Sequence, residues 1–332
     1  MKNAPEPFLT ANVIKSIGRG KKGARDMLRQ EACGLYKRML ERTVTDLELG
    51  AILIAMRIKG ESVDELGGFM DAAEASFARI PSWACPYAPV SIPSYNGARK
   101  MANLTPLLAL LLARQGVPVL VHGVLADPGR VTSAEIFEAM GMAPSHTAAE
   151  VHAAFAQGKP AFMAIDALAP KMAGLLDLRH VLGLRSSTHT LVKILQPFEG
   201  PALRLVSYTH PEYLATLGEY FLRAAPHERG DAFLMRGTEG ETVANANRAQ
   251  QIDWFHRGQR TLLVQRDAPT DELAQLPDAR DAATTAEWIG RALRGEAPVP
   301  AAIEEQVAQC LMVSKLLMAN PPAPAIFGEP GP

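Results

Sequence analysis

Several features that would assign a protein class at once are scarce in this 332-residue sequence. Its three cysteines are odd in number and widely spaced, so neither a disulfide framework nor a zinc site is indicated. The strongest apolar run, residues 104–113, is shorter than the roughly 20 residues that a membrane-spanning helix needs. The sequence does not open with the charged and apolar regions of a secretory signal. These absences predict a globular, cytoplasmic protein that makes no membrane contact.

An excess of charge of one sign is also missing, because the formal net charge is −1. A uniformly basic protein is therefore excluded, but the cations are not evenly spread. Residues 15–38 hold eight Lys and Arg against two acids, and residues 179–193 hold no acid. In the first stretch, glycines at 18, 20 and 23 alternate with cations, which predicts a flexible loop able to follow a phosphate chain. A solvated helix face is the alternative interpretation. The candidate phosphate contacts are Arg19, Lys21, Lys22, Arg25, Arg179, Arg185 and Lys193.

Glycine is scarce where a phosphate-binding loop would be expected. Residues 94–100, with the sequence SYNGARK, follow a short strand-like run and precede an apolar helix. A loop that encloses a diphosphate needs several glycines, because the main chain must approach the ligand closely. Here Gly97 stands alone among an aromatic ring, an amide and two cations, a set better suited to a polyanionic strand.

The apolar periodicity divides the chain into two kinds of structure. Helical spacing over residues 28–40, 47–58 and 63–77, with Thr45 or Asp46 and Ser62 as N-caps, predicts a small all-helical domain over 1–80. Prolines between 80 and 93 indicate a linker. Beyond it, short β-rich runs alternate with helical patterns, and each run is near-continuously apolar, as in strands covered on both faces. The prediction is an α/β domain over 81–330 with a largely parallel central sheet.

Longer strings carry a resemblance to a known family. The order of a helical domain, a proline-rich crossing and an α/β domain, together with IPSYNGARK at 92–100, HG at 122–123, GLRS at 183–186 and RGTEGE at 236–241, resembles anthranilate phosphoribosyltransferase and its nucleoside phosphorylase relatives. IGRGKKGARD at 17–26, DLELGA at 46–51 and GTEGE at 237–241 are similar to the YbiB-type proteins, phosphoribosyltransferase paralogues described as nucleic-acid-binding.

The resemblance implies a fold and a function. It implies a phosphoribosyltransferase-like fold in which about residues 171–197 join the helical domain in space, and a homodimer formed through that domain. Residues 47–58 would then be a dimer face, although they can also be internal core. The implied function is sequence-independent binding of DNA through basic grooves, with RNA as a second candidate ligand and with no catalytic residue, metal or cofactor. On a dimer, two basic segments would give avidity.

The elements that hold substrate in the catalytic relatives are eroded in this chain. The glycine-rich loop of the relatives corresponds to SYNGARK here, and a valine follows His122 and Gly123. The loop that carries serines in the relatives corresponds to residues 128–132, where Arg130 is the one cation that is kept. Gly240 stands in place of one of the two acids that bind magnesium in the relatives. In this degenerate cleft, Tyr95 is expected to stack on a base if a single strand enters. His122 has two interpretations, a general base or a buried structural residue. The cleft residues are Tyr95, Asn96, Gly97, Arg99, Lys100, His122, Gly123, Arg130, Glu239 and Glu241.

The sequence is also compatible with two other functions. One is a glycosyl or phosphoribosyl transferase, or a phosphorylase, acting on a ribose phosphate with an unknown acceptor, which would require Mg²⁺. The other is a regulatory module that uses the old cleft for a small metabolite. Arg185 and Lys193, placed two turns apart on one predicted helix, either line a groove or cap helices and pair with acids. The sequence leaves open whether DNA or RNA is bound, and in which strand form.

Overall fold

The computed structural model describes residues 10–247, 250–265 and 275–320, except for the side chain of Lys21. The last ten residues of the predicted large domain, 321–330, therefore lie outside the described part of the chain.

The helices are α1 (Thr10–Ile17), α2 (Gly20–Gly23), α3 (Arg29–Leu40), α4 (Asp46–Lys59), α5 (Val63–Glu74), α6 (Thr105–Arg114), α7 (Ser133–Ala139), α8 (Ala148–Ala156), α9 (Ile165–Leu168), α10 (Pro170–Leu176), α11 (Leu178–Leu182), α12 (Thr188–Ile194), α13 (Pro211–Arg223), α14 (Ala282–Leu293) and α15 (Ala301–Ala319). The strands are β1 (Val90–Ser94), β2 (Val119–Gly123), β3 (Ala161–Ala164), β4 (Ala202–Tyr208), β5 (Gly230–Arg236), β6 (Ile252–His256) and β7 (Gln259–Val264).

The chain folds into two compact units. A helical unit comprises Met1–Ala78 and Ala169–Val192, and an α/β unit comprises Arg79–Leu168 and Lys193–Pro332. A late segment thus joins the N-terminal helices. Residues 193–197 belong to the α/β unit, whereas the sequence resemblance assigns them to the helical domain. Lys193 therefore lies in a different unit from Arg179 and Arg185.

The helical unit is built from capped helices around a small aromatic core. Thr45 and Ser62 accept hydrogen bonds from the N–H groups of Glu48 and Glu65, so the predicted helix starts are confirmed, with Thr45 rather than Asp46 as the cap. Helices α3 and α5 pack closely, and the Tyr36 and Phe69 rings stack with their centroids 5.1 Å apart.

A seven-stranded sheet forms the centre of the α/β unit among the residues that the structure describes, in the order β3-β2-β1-β4-β5-β6-β7. The five strands from β3 to β5 are parallel, and β6 and β7 add an antiparallel hairpin at one edge. The predicted largely parallel sheet is confirmed. Strand β6 was not predicted, because its alternation of buried and half-buried residues is short.

The core of the α/β unit lies between the sheet and helices that include α6, α7, α14 and α15. Strands β1 and β2 are buried throughout, which fits strands covered on both faces of the sheet. Because the strands are parallel, β1, β2, β4 and β5 all end at the same edge of the sheet. The loops at that edge carry the degenerate cleft residues. Within the described residues, no helix is both long and apolar enough to cross a membrane.

Candidate functional site

The loop after β1 lies against the turn that follows β5. The two segments are more than 130 residues apart in sequence, and the parallel register of the sheet brings their strand ends to one edge. Gly97 adopts a φ of +61°, and a Cβ on it would lie 2.7 Å from the Val131 carbonyl oxygen. Glycine is therefore required at this position for both conformation and space.

Glu241 binds the backbone N–H groups in the first half of this loop. Its carboxylate oxygen Oε1 accepts hydrogen bonds from the backbone N–H of Asn96 at 2.9 Å and of Gly97 at 2.8 Å. The side chain is 1% exposed, and Oε2 lies 3.4 Å from the Thr105 hydroxyl oxygen. Glu241 thus occupies the position in which these two N–H groups would otherwise bind an anion.

Glu239 binds the backbone N–H groups in the second half of the loop. Its carboxylate accepts from the backbone N–H of Arg99 at 2.8 Å, of Lys100 at 3.1 Å and of Met101 at 3.4 Å. Burial opposes the charged form, but hydrogen bonds from the Lys100, Arg99 and Met101 backbone outweigh it and lower the pKa of Glu239. This carboxylate is therefore ionised near neutral pH.

The arrangement does not fit a bound diphosphate or magnesium ion. The backbone N–H groups that could donate hydrogen bonds to phosphate oxygens donate instead to the carboxylates of Glu239 and Glu241. The same two carboxylates would be the magnesium ligands, and they point at N–H donors. Among the described residues, no group of three or more His, Cys, Asp or Glu side chains could hold a metal ion. The degenerate phosphate-binding loop predicted from the sequence is therefore occupied by two carboxylates of the chain itself.

His122 is a buried structural residue. It is 0% exposed, its Nε2 lies 3.1 Å from the Ser91 hydroxyl, and its Nδ1 lies 2.8 Å from the Tyr95 hydroxyl. Burial lowers its pKa to about 3, so the ring is neutral at physiological pH. The structural interpretation of His122 is favoured over the general base.

The predicted stacking role of Tyr95 is wrong for this arrangement. Its side chain is 7% exposed, and its ring lies edge-on to His122 with the centroids 5.5 Å apart. The hydroxyl is used in the bond to His122. A buried ring that makes these contacts has no free face for a base.

The remaining cleft residues divide into supporting and exposed groups. The Arg130 guanidinium donates to the carbonyl oxygens of Asn96 and Gly97, so this cation braces the loop from the other side. Gly123 is packed so closely that a Cβ would overlap the Ser94 carbonyl oxygen. The side chains of Arg99 and Lys100 are exposed, although their N–H groups are engaged.

The basic segment of the helical unit is more ordered than the sequence predicts. Residues Gly20–Gly23 form one helical turn, closed by the Ala24 N–H bonding to the Gly20 carbonyl, where a flexible loop was expected. Gly20 begins this turn at a φ of +75°, which glycine adopts readily. Arg19, Lys22 and Arg25 are exposed, and no ion pair joins any of them to another described residue.

The acid that follows this basic segment is used elsewhere. Asp26 binds the ammonium group of Lys59 at 2.5 Å, and Lys59 also binds Glu65 at 2.7 Å. Glu65 is fully buried and also accepts from the Met27 N–H. Asp26 is therefore paired with a lysine of the helical unit, and no ion pair joins it to Arg25 among the described residues.

The other predicted cations do not share a helix face. Arg185 lies in the irregular segment before α12, Arg179 lies in the five-residue helix α11, and Lys193 lies at the end of α12. The prediction that Arg185 and Lys193 sit two turns apart on one helix is wrong, because the chain leaves helical geometry between Gly183 and Thr188. The Lys193 ammonium group lies 3.4 Å from the Gly240 carbonyl oxygen, beside the closed loop.

The helical unit also carries an open apolar face. A cavity of about 530 Å³ lies between α1 and α4, next to the start of α2. Leu47 is 86% exposed and Ile58 is 56% exposed on this side of α4, whereas Leu49, Ile52 and Met56 are buried. Within the described residues, the predicted helix 47–58 therefore has a core face and a second apolar face that stays exposed.

The comparisons with known proteins agree with this architecture. Residues 11–76 match the glycosyl transferase family, helical bundle domain. The chain is 46% identical to YbiB of Escherichia coli (strain K12) over 304 residues, which is 91% of this chain and 93% of that protein. The chain belongs to the YbiB family.

More distant matches are to anthranilate phosphoribosyltransferases, whose solved structures share this fold. The anthranilate phosphoribosyltransferase of Methylocella silvestris is 29% identical over 216 residues, covering 63% of this chain and 58% of that enzyme. The crystal structure of anthranilate phosphoribosyltransferase from Thermus thermophilus matches with a TM-score of 0.68 at 19% identity, over 95% of this chain and 90% of that one. The Saccharomyces cerevisiae enzyme in complex with PRPP and Mg matches with a TM-score of 0.61 at 11% identity, over 93% and 94%.

The roles of several acids in this YbiB-family chain differ from those that the sequence predicts. The sequence indicates that Glu239 and Glu241 are remnants of a metal site, and nothing in their spacing predicts hydrogen bonds to loop N–H groups. Glu65 does carry a signal in the sequence, because a serine N-cap at Ser62 followed three residues later by a glutamate is the signature of a capping box. Ser207, which donates to the Gly240 carbonyl at 2.8 Å, carried no signal in the sequence.

Proposed function

We propose that this protein binds nucleic acid through backbone phosphates, with the basic segment of the helical unit as a principal contact. The observation that carries the proposal is the set of exposed cations Arg19, Lys22 and Arg25, unpaired within the described residues, next to an Asp26 that is bound to Lys59. Uncompensated surface cations attract a polyanion without reading its sequence.

The local charge supports this proposal more strongly than the total charge does. Residues 15–25 contain five Lys and Arg and no acid, although the whole chain has a net charge of −1. Nucleic acid carries closely spaced phosphates, so several neighbouring cations can release counterions together. Three further cations stay candidate phosphate contacts, although they do not lie on one helix: Arg179, Arg185 and Lys193.

We further propose that a second copy of the chain covers the apolar face of the helical unit. Leu47 and Ile58 expose apolar surface beside the α1 and α4 cavity, and burial of such a patch favours association. A two-fold pair would duplicate the basic segment and increase avidity for a long polyanion. Light scattering of the wild type at micromolar concentration should give twice the chain mass, and Leu47→Glu should give the monomer; a monomeric wild type would refute the pairing.

Transfer of a ribose phosphate is the second candidate, and the comparisons favour it more directly than nucleic-acid binding. The relatives named above other than YbiB are transferases, and one structure contains PRPP and Mg. In this chain the transfer would require Glu239 and Glu241 to release the loop N–H groups. A saturable heat of PRPP binding that depends on Mg²⁺ would support this function.

A salt series with labelled single-stranded DNA and RNA tests the main proposal. Fluorescence anisotropy should show binding at low salt that weakens as salt rises, with a log–log slope of about −0.7 for each neutralised phosphate. The double variant Lys22→Glu, Arg25→Glu should reduce the steepness by about 1.4 if each residue contacts one phosphate. Lys315→Glu, an exposed cation of α15, is the control and should keep the wild-type slope.

Two results would count against the proposal. Absence of binding at low salt would refute nucleic-acid binding by this chain. Equal slopes for the wild type and the Lys22→Glu, Arg25→Glu variant would show that the phosphates bind elsewhere and would remove the basic segment from the site.

A further inference from the structure

The loop at residues 96–101 has the donor arrangement of an anion site. Five backbone N–H groups in this short segment, those of Asn96, Gly97, Arg99, Lys100 and Met101, point at carboxylate oxygens of Glu239 and Glu241. Successive N–H groups that converge on one point form a concavity that binds anions. Both anions here come from the chain itself.

The two carboxylates differ in how firmly they are built in. Glu241 is 1% exposed and bonds the start of the loop, so it is part of the interior. Glu239 is half-buried, and it reaches the outer part of the loop, where Arg99 and Lys100 place exposed cationic side chains. Of the two, Glu239 is in the position that a solvent anion could take.

The backbone conformation around Glu239 directs its carboxylate toward the loop N–H groups. Glu239 has a φ of +54°, a left-handed conformation that is uncommon for residues other than glycine. The turn is closed by hydrogen bonds in both directions between Thr238 and Glu241. The Gly240 carbonyl is held by Asn96 at 2.8 Å and by Ser207 at 2.8 Å. A strained residue kept in place by its surroundings points to a specific role.

We propose that Glu239 is the resident ligand of this anion site and that its carboxylate determines the exclusion of free phosphate-type anions from the loop. The carboxylate supplies the acceptors and the negative charge that a phosphate group would supply. Because it is tethered, it competes at an effective concentration far above that of a free anion. This inference goes beyond the proposed nucleic-acid binding and does not depend on it.

The site should survive removal of the carboxylate. Arg130 braces the loop through the Asn96 and Gly97 carbonyls, and Glu241 still holds the Asn96 and Gly97 N–H groups. With Glu239 replaced, the N–H groups of Arg99 and Lys100 would face solvent next to two cationic side chains. Charge-assisted hydrogen bonds to a phosphate group would then replace those to the carboxylate.

Calorimetric titration with inorganic pyrophosphate, without added metal, tests the proposal. Glu239→Gly suits the left-handed backbone and removes the carboxylate, and we expect it to bind pyrophosphate at least about tenfold more tightly than the wild type. Glu239→Asn, which also tolerates this conformation but is too short to fill the loop, should behave in the same way. Glu138→Ala removes one exposed acid from α7 and should leave the wild-type affinity unchanged.

The outcomes separate the proposal from its competitors. Pyrophosphate affinity equal to that of the wild type in both Glu239 variants would overturn the proposal. A similar gain in Glu138→Ala would also overturn it, because the effect would then be one of net charge. Tight pyrophosphate binding by the wild type itself would show that Glu239 does not exclude the anion. None of these results alters the salt series that tests nucleic-acid binding.

Discussion

The burial of neutral His122 should make the stability of the protein depend on pH. The ring is 0% exposed and lies between the hydroxyls of Ser91 and Tyr95, and burial lowers its pKa from 6.5 to about 3. In the unfolded chain the ring takes up a proton near pH 6.5, whereas in the folded chain it does so only near pH 3. Unfolding therefore binds a proton between these values, and the free energy of unfolding falls as pH is lowered through them.

The size of the effect follows from the two pKa values. Each pH unit between them changes the free energy of unfolding by about 1.4 kcal/mol for one proton. Between pH 7 and pH 5 the loss due to His122 amounts to about 2 kcal/mol. Above about pH 7 the His122 contribution is constant, because the ring is neutral in both states.

Urea denaturation at pH 5, 6 and 7 provides the assay. His122→Asn is expected to be less stable than the wild type at pH 7 but to lose about 2 kcal/mol less between pH 7 and pH 5. His180→Asn replaces an exposed histidine and serves as the control, which should keep the wild-type loss. If His122→Asn loses as much stability as the wild type over this range, the buried neutral histidine is not the source of the pH dependence.

Three other substitutions have definite expectations. Glu65→Gln leaves the buried end of Lys59 without its second carboxylate and should lower the free energy of unfolding by about 3 kcal/mol; an unchanged urea midpoint would contradict this. Gly123→Ala places a Cβ on the Ser94 carbonyl oxygen and should cost about 3 kcal/mol or more in thermal and urea unfolding, whereas Gly129→Ala, with open space around it, should cost less. Tyr36→Phe removes the buried hydrogen bond to Thr188 and should cost about 1 kcal/mol by the same measurement.

The fold could largely be predicted from the sequence because its signals are local. Apolar periodicity gave helices close to those observed at α3, α4 and α5, and the Thr45 and Ser62 caps marked where two of them begin. Apolar runs identified the parallel strands. The antiparallel strand β6 has no such run and is not predicted. The helical turn at Gly20–Gly23 is not predicted either, because its glycines indicate a loop.

The site was predicted less well than the fold. The resemblance located the loop at 94–100 and its partner at 236–241, and the structure brings these segments together. It did not reveal that Glu239 and Glu241 turn toward the loop, that Tyr95 is buried against His122, or that Arg185 lies outside α12. These facts depend on side-chain direction and on contacts between residues far apart in sequence.

The sequence by itself determined the helical and α/β parts of this protein, the cluster of cations before Asp26 and the loss of glycines from the loop after β1. Composition, periodicity and spacing are properties of neighbouring residues, so they can be read without coordinates. Only the tertiary structure decided what the acids do. Asp26 is held by Lys59, and Glu239 lies in an anion site on a loop 138 to 140 residues away in the chain. The parallel sheet brings those segments to one edge, and a carboxylate binds whichever donors the fold places beside it.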